Sequence, residues 1–96
     1  MMITLEIARR SARRTVTVDA AVTKIGSDER ANVVLEDTLV QPSHAVLELG
    51  DGGATLIDLG SENGTWVNEA RINRCKLRAG DEIRVGSTIL RVQSIG

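Results

Sequence analysis

Apolar residues recur at every second position in the clearest runs of this chain. Ile3, Leu5 and Ile7 alternate with Thr4 and Glu6, and Val16 and Val18 alternate with Thr15 and Thr17. A period of two sends apolar side chains to one face of an extended chain and polar ones to the other, which specifies half-buried strands. The same reading extends through 22–25, 32–35, 45–49, 54–59, a short Trp66-Val67 piece, 83–85 and 89–92. Turn chemistry separates these runs: Gly50-Asp51-Gly52-Gly53, Gly60-Ser61-Glu62-Asn63-Gly64, Gly80-Asp81 and Gly86-Ser87. The polar segment Ala8 to Arg14 suits a hairpin. Residues 69–77 read as a hairpin or an irregular strand, since Ile72, Cys75 and Leu77 make no stripe at helical spacing. Ser94-Ile95-Gly96 reads as a fraying end. Many short strands and no helix call for an all-β sandwich or barrel.

Ninety-six residues form one domain, 1–96, because the chain cannot be divided into halves that each bury a core. Its only aromatic residue is Trp66, and single-stranded nucleic acid or carbohydrate sites usually stack several rings. The formal charge of −1 is too balanced for a general phosphate-backbone binder, so any anion recognition must be local. With Cys75 alone there is neither an intrachain disulfide nor a cysteine zinc cage, and a reducing compartment fits. Thr4 and Glu6 interrupt what a signal peptide would need as an apolar run, and no segment is long enough to insert in a membrane. The expected setting is cytoplasmic, as a module of a larger protein.

The reactive inventory is thin. Ser43 and His44 are adjacent, which in extended structure points them to opposite sides and prevents a nucleophile–base pair. A lone His44 fits a hydrogen-bonded residue that braces a loop. Asp51, Asp58, Asp81 and Glu82 sit beside turn glycines, where carboxylates cap or bend backbone. No dinucleotide or Walker phosphate loop occurs, and one His with one Cys cannot fill a metal shell. The chain is expected to be no enzyme and to carry no cofactor or metal.

An ordered set of short motifs then carries a resemblance. Ile25-Gly26, Asn32-Val33-Val34-Leu35, Val40, His44-Ala45, the run from Asp58 through Asn63-Gly64-Thr65-Trp66-Val67 to Asn68, Leu77, Gly80-Asp81-Glu82-Ile83 and Gly86 together resemble a forkhead-associated (FHA) domain over about 22–93. The resemblance implies an FHA-like β-sandwich of about eleven short, mostly antiparallel strands, with loops at one end that bind phosphothreonine peptides. By this resemblance Gly26, His44 and Gly64 brace the loops, Asn63 holds the main chain of a bound peptide, and Ser61 reaches the phosphate region.

The chain departs from the family pattern where that pattern concentrates positive charge. Ser27 stands in place of an arginine, Gln41 in place of a serine, and Pro42 in place of a second arginine, with Ser43 one position out of register. Pro42 also removes a backbone N–H. Arg30, with Lys24 before the glycine, is the nearest replacement cation, but Asp28 and Glu29 share its loop and oppose an incoming phosphate. A solvated surface charge is the plainer role for Arg30.

The sequence thus points to a non-enzymatic protein–protein interaction module in which Ser27, Arg30, Gln41, Ser43, Ser61 and Asn63 form a peptide site with weakened or altered phosphothreonine recognition. The alternative is phosphate-independent scaffolding or oligomerisation in a signalling, secretion or regulatory assembly, including homotypic association. Arg9, Arg10, Arg13 and Arg14 form the one basic cluster: a soluble hairpin tip that protects an edge, or the contact for an anionic partner. Trp66, the largest side chain available, is expected to pack in or partly in the sandwich core.

Overall fold

The computed structural model describes all 96 residues and contains eleven strands. These are β1 (Ile3–Arg9), β2 (Ala12–Val18), β3 (Val22–Gly26), β4 (Val33–Val34), β5 (Ala45–Gly50), β6 (Gly53–Asp58), β7 (Thr65–Val67), β8 (Ala70–Ile72), β9 (Arg74–Lys76), β10 (Glu82–Val85) and β11 (Thr88–Ile95). They form a sandwich of a six-stranded sheet, ordered β2-β1-β11-β10-β7-β8, and a five-stranded sheet, ordered β4-β3-β5-β6-β9. Every pairing is antiparallel except β3 with β4. The all-β sandwich and its strand count agree with the sequence reading. No helix is long and apolar enough to cross a membrane.

The period of two produces the core directly. Ile3, Leu5 and Ile7 of β1 face Ile83, Val85, Leu90 and Val92 of their own sheet and Leu47, Ala54 and Leu56 of the other, all within one cluster of 17 buried apolar residues. Burying each of the larger side chains contributes about 1.5–3 kcal/mol. Strand β2 is an exposed edge, with only Val16 and Val18 partly buried against the cluster. Threonines and arginines on that edge discourage further strand pairing.

Two local expectations, the 8–14 hairpin and Trp66, are sharpened, and two, residues 69–77 and the C-terminus, change. The polar hairpin is almost all strand, because β1 and β2 pair down to Arg9 and Ala12 and leave only Arg10-Ser11 as the turn. Arg10 takes a φ of 57°, which a two-residue connection demands. Residues 70–76 do not form a hairpin with each other. β8 pairs with β7 in one sheet and β9 with β6 in the other, so the chain changes sheets at Asn73. The C-terminus does not fray, since β11 runs to Ile95 and Gly96 exchanges two backbone hydrogen bonds with Met2. Trp66 lies half-buried on the outer face of its sheet, because its neighbours Thr65 and Val67 take the inward positions. The core cluster is filled by Leu, Ile, Val and Ala alone.

Register fixes which loops meet. Ile25 pairs with Ala45, Ala45 with Asp58, Thr65 with Val85, and Ala8 with Ile89. The β3–β4, β4–β5, β6–β7 and β10–β11 connections and the tip of the β1–β2 hairpin therefore leave the sandwich at one end.

Candidate functional site

At that end the loops are stitched together by backbone and by a few buried polar side chains. Ser27 N–H donates to Gln41 O at 3.0 Å and Asp28 N–H to Pro42 O at 3.4 Å, so the β3–β4 loop lies directly on the β4–β5 loop. Gly26 sits at their closest approach: a Cβ there would lie 1.9 Å from Pro42 O.

His44 is completely buried between them. Its Nδ1 accepts from Gln41 N–H at 3.1 Å, which leaves the ring hydrogen on Nε2, and Nε2 donates to Gly64 O at 2.9 Å. The His44 main chain adds bonds to Ile25 and Leu59. One residue thus joins β3, the β4–β5 loop and the β6–β7 loop. With both ring nitrogens engaged by backbone, no nitrogen is left for acid–base work.

Asp58 organises the β6–β7 loop from inside. Its carboxylate accepts from Gly60 N–H and Ser61 N–H, both at 3.0 Å, from Thr65 Oγ1 at 2.7 Å, and from the Ser61 hydroxyl. Burial alone would raise its pKa, but the hydrogen bonds from Ser61, Thr65 and Gly60 outweigh burial and hold it below the usual carboxylate range. Asp37 plays the same part in the β4–β5 loop, accepting from Leu39 N–H, from Ser87 N–H at 2.7 Å and from Thr88 Oγ1 at 2.8 Å. Its pKa is lowered too, by the same excess of hydrogen bonds over burial, with the Arg9 charge assisting.

Asn63 and Gln41 span the β4–β5 and β6–β7 loops. Asn63 Nδ2 donates to Leu39 O at 3.0 Å, and Asn63 O accepts from Trp66 Nε1 at 3.1 Å. Gln41 Oε1 accepts from Glu62 N–H at 2.7 Å. Asn63 is exposed, and its Oδ1 and second amide hydrogen remain unengaged. Gln41 is half-buried, and the amide that replaces the serine of the family pattern serves as a strut between loops.

The remaining predicted residues are spread unequally. Ser27 and Ser43 border the Gln41–Pro42 segment, Ser27 half-buried and Ser43 exposed. Ser61 is buried, with its hydroxyl turned to Asp58 rather than outward. Arg30 is exposed and donates from Nε at 3.2 Å and Nη2 at 2.9 Å to Asp28 of its own loop. That side-chain bond, helped by the Arg30 amide and charge, holds the Asp28 carboxyl down to about 2. Glu29 and Glu62 are exposed beside these groups. The acceptor-rich character of this end comes partly from Glu62, which sequence reasoning passed over. It also passed over Asp37, two of whose three partners lie 50 and 51 positions away, beyond the reach of any local pattern.

Comparison with known proteins agrees with this arrangement. The FHA domain family model matches residues 23–86. The oxoglutarate dehydrogenase inhibitor of Corynebacterium efficiens is 35% identical over 69 residues, covering 72% of this chain and 49% of that protein. The glycogen accumulation regulator GarA of Mycobacterium tuberculosis is 33% identical over 69 residues, covering 72% of this chain and 43% of GarA. The chain thus spans about half the length of the curated relatives it matches. Among solved structures, a domain from a study of phosphothreonine-dependent FHA domain interactions superposes with a TM-score of 0.89 at 33% identity, covering 98% of this chain and 97% of that one. The FhaA FHA domain, crystallised with the intracellular domain of Rv3910, gives a TM-score of 0.87 at 34% identity over 95% of this chain and 99% of that one. With its strand order, its buried loop-bracing histidine and these matches, the chain belongs to the FHA domain family.

Proposed function

We propose that this FHA domain is a protein-interaction module, not an enzyme, whose loop end holds an extended peptide of a partner protein with phosphothreonine recognition weakened. The presentation of Asn63 carries this reading. Its position is set by bonds to Leu39 and Trp66, while its Oδ1 and one amide hydrogen stay free. An amide fixed in this way pairs with a peptide main chain at little entropic cost. Regulatory binding is consistent with the relatives, one an inhibitor and the other a regulator by name. A cytoplasmic, reducing setting fits the single free cysteine.

The charges argue for the weakened form. Recognition of a dianionic phosphate relies on charge-assisted bonds from a nearby cation. Ser27 and Pro42 supply none, Arg30 is committed to Asp28, Arg71 reaches the β6–β7 loop but donates to Ser61 O at 3.3 Å, and Glu29 and Glu62 repel. Ser61 has its hydroxyl donated to Asp58. The same facts favour a second reading, phosphate-independent scaffolding, in which the loops take an unmodified segment.

A phosphothreonine peptide library, titrated before and after phosphatase treatment, tests both points. Saturable binding is expected, with Asn63→Ala weakening it about tenfold through loss of main-chain hydrogen bonds. Dephosphorylation is expected to cost less than about tenfold, and Ser27→Arg with Gln41→Ser to raise the preference for phosphate by about that factor. Indifference to Asn63→Ala would overturn the peptide site. Complete dependence of the original chain on phosphate would overturn the weakened recognition.

A further inference from the structure

We propose that the groove between the β1–β2 hairpin and the segment around β4 is a second contact site, which takes an acidic segment of the partner polypeptide. The groove measures about 460 Å³ and is lined by Arg9, Arg13 and Arg14, with Val34 and Leu35 as apolar wall and Glu36 as its one acidic residue. The strand register explains how the basic cluster comes to face it. Arg9 pairs across the hairpin with Ala12, and Arg14 with Ile7. Ile7 faces the core, so Arg9 and Arg14 stand on that same inner face, just beyond its apolar end. Arg13, opposite Ala8, turns outward and meets Glu6 at 3.2 Å.

The two inward arginines are held in place with donors to spare. Arg14 Nη2 donates to Val34 O, which fixes its guanidinium across the groove. Arg9 Nε is buried without any hydrogen-bond partner. Its nearest anion, Asp37 Oδ2, lies 3.9 Å away and already accepts from Ser87 and Thr88. Unpartnered buried donors are uncommon in native folds, and here the Nε is shut in beside Asp37 while the part of the Arg9 side chain that stays exposed is what a ligand can reach. Asp37 steadies the Arg9 charge without consuming its hydrogen-bonding capacity.

Arg13 is paired with Glu6, and Arg9 and Arg14 equal Glu36 and Asp37 in number, so what the groove offers is two oriented guanidinium groups and not a net positive field. Planar guanidinium groups pair with carboxylates in two-pronged fashion, and their stems pack on apolar wall such as Val34 and Leu35. Two guanidinium groups with Glu36 among the lining residues suit single carboxylates better than the continuous phosphates of a nucleic acid. The groove lies at the same end of the sandwich as the loops, where Arg9, Ala12 and Thr88 line it.

This inference rests on the peptide-binding reading for its partner, but the two fail separately when the groove is probed with an octaglutamate peptide. In NMR titration, the side-chain Nε–Hε signals of Arg9 and Arg14 are expected to shift saturably, while the amides of Ser27 and Asn63 stay in place. Arg9→Gln with Arg14→Gln should lower affinity about tenfold, and Glu36→Gln should raise it a few-fold by removing repulsion. The Glu36→Gln gain guards against a double variant that merely loosens the hairpin. Uniform shifts at Arg84 and Arg91 as well, insensitivity to Glu36→Gln, or tighter binding of a short duplex DNA than of octaglutamate would overturn the proposal. Loss of library binding by Asn63→Ala with no response to octaglutamate would leave the loop site standing and remove the groove.

Discussion

Gly26→Ala is expected to destabilise the domain by about 3 kcal/mol or more, the upper range for forcing atoms into a packed site. Glycine at this position is required by space and not by backbone conformation, since Gly26 is absent from the positive-φ glycines. The added methyl would lie 1.9 Å from Pro42 O and 2.7 Å from its carbonyl carbon. Both are main-chain atoms, so no rotamer change relieves the overlap. The β4–β5 loop must retreat, and with it go the bonds from Ser27 and Asp28 to Gln41 O and Pro42 O. Gly60→Ala is the control. Gly60 has a φ of 76° with nothing within 4 Å of its virtual Cβ, so its alanine bears only left-handed strain, about 1–2 kcal/mol. Urea denaturation of both variants checks the order: equal losses would mean that the contact at Gly26 yields easily. Against a total stability of about 5–15 kcal/mol, the larger loss leaves Gly26→Ala marginal.

That contact also marks the limit of what sequence could tell. The strands were legible because a period of two is a local property, visible in Ile3-Leu5-Ile7 without knowledge of any partner. The sheet change at Asn73 was not, since β8 and β9 each pair with a strand distant in the chain and carry few core residues to reveal a face. The hairpin over 8–14 was legible from its polar residues, while the pairing of Arg9 with Ala12, which confines the turn to Arg10-Ser11, was not. Trp66, expected in or partly in the core, is half-buried. Size suggested the core, but inward or outward is decided by the parity of the strand, and Thr65 and Val67 hold the inward positions.

The candidate site divides along the same line. Motif spacing picked out Gly26, His44, Asn63 and Gly64, and the missing cation at Ser27 was plain from residue type. What spacing could not supply was the direction of each hydroxyl and amide. Ser61 reads as a ligand group until Asp58 is seen to take its hydrogen, and Gln41 reads as a lost serine until its amide is seen to hold Glu62 N–H. Such assignments depend on which acceptor lies within about 3 Å after folding, and the Gln41–Glu62 bond joins residues 21 positions apart.

Asp58→Ala is expected to cost about 3–4 kcal/mol and to weaken peptide binding in the same protein. The substitution strands four donors at once: the amides of Gly60 and Ser61 and the hydroxyls of Ser61 and Thr65. Thr65 is fully buried and Ser61 is 5% exposed, so water cannot replace the lost acceptor at either hydroxyl without opening the loop. Thr65→Val removes one of these bonds together with its donor and should cost far less, about 1 kcal/mol. The pH dependence follows from the same carboxylate. Asp58 and Asp37 both have folded-state pKa values below the ordinary range, so the stability they contribute is fully present above the unfolded-state value. It is lost as pH falls through the folded-state values, and thermal midpoints should decline from about pH 5 downward as carboxylates bind protons. In Asp58→Asn the decline should be shallower, because one of the three depressed carboxylates, Asp28, Asp37 and Asp58, no longer titrates. An unchanged acid slope would show that the Asp58 hydrogen bonds do not distinguish folded from unfolded chain. Asn63 follows its loop, which joins these effects to function: with Asp58 removed, the turn that carries Ser61 through Gly64 loses its internal anchor, and the amide offered to the peptide loses its fixed position.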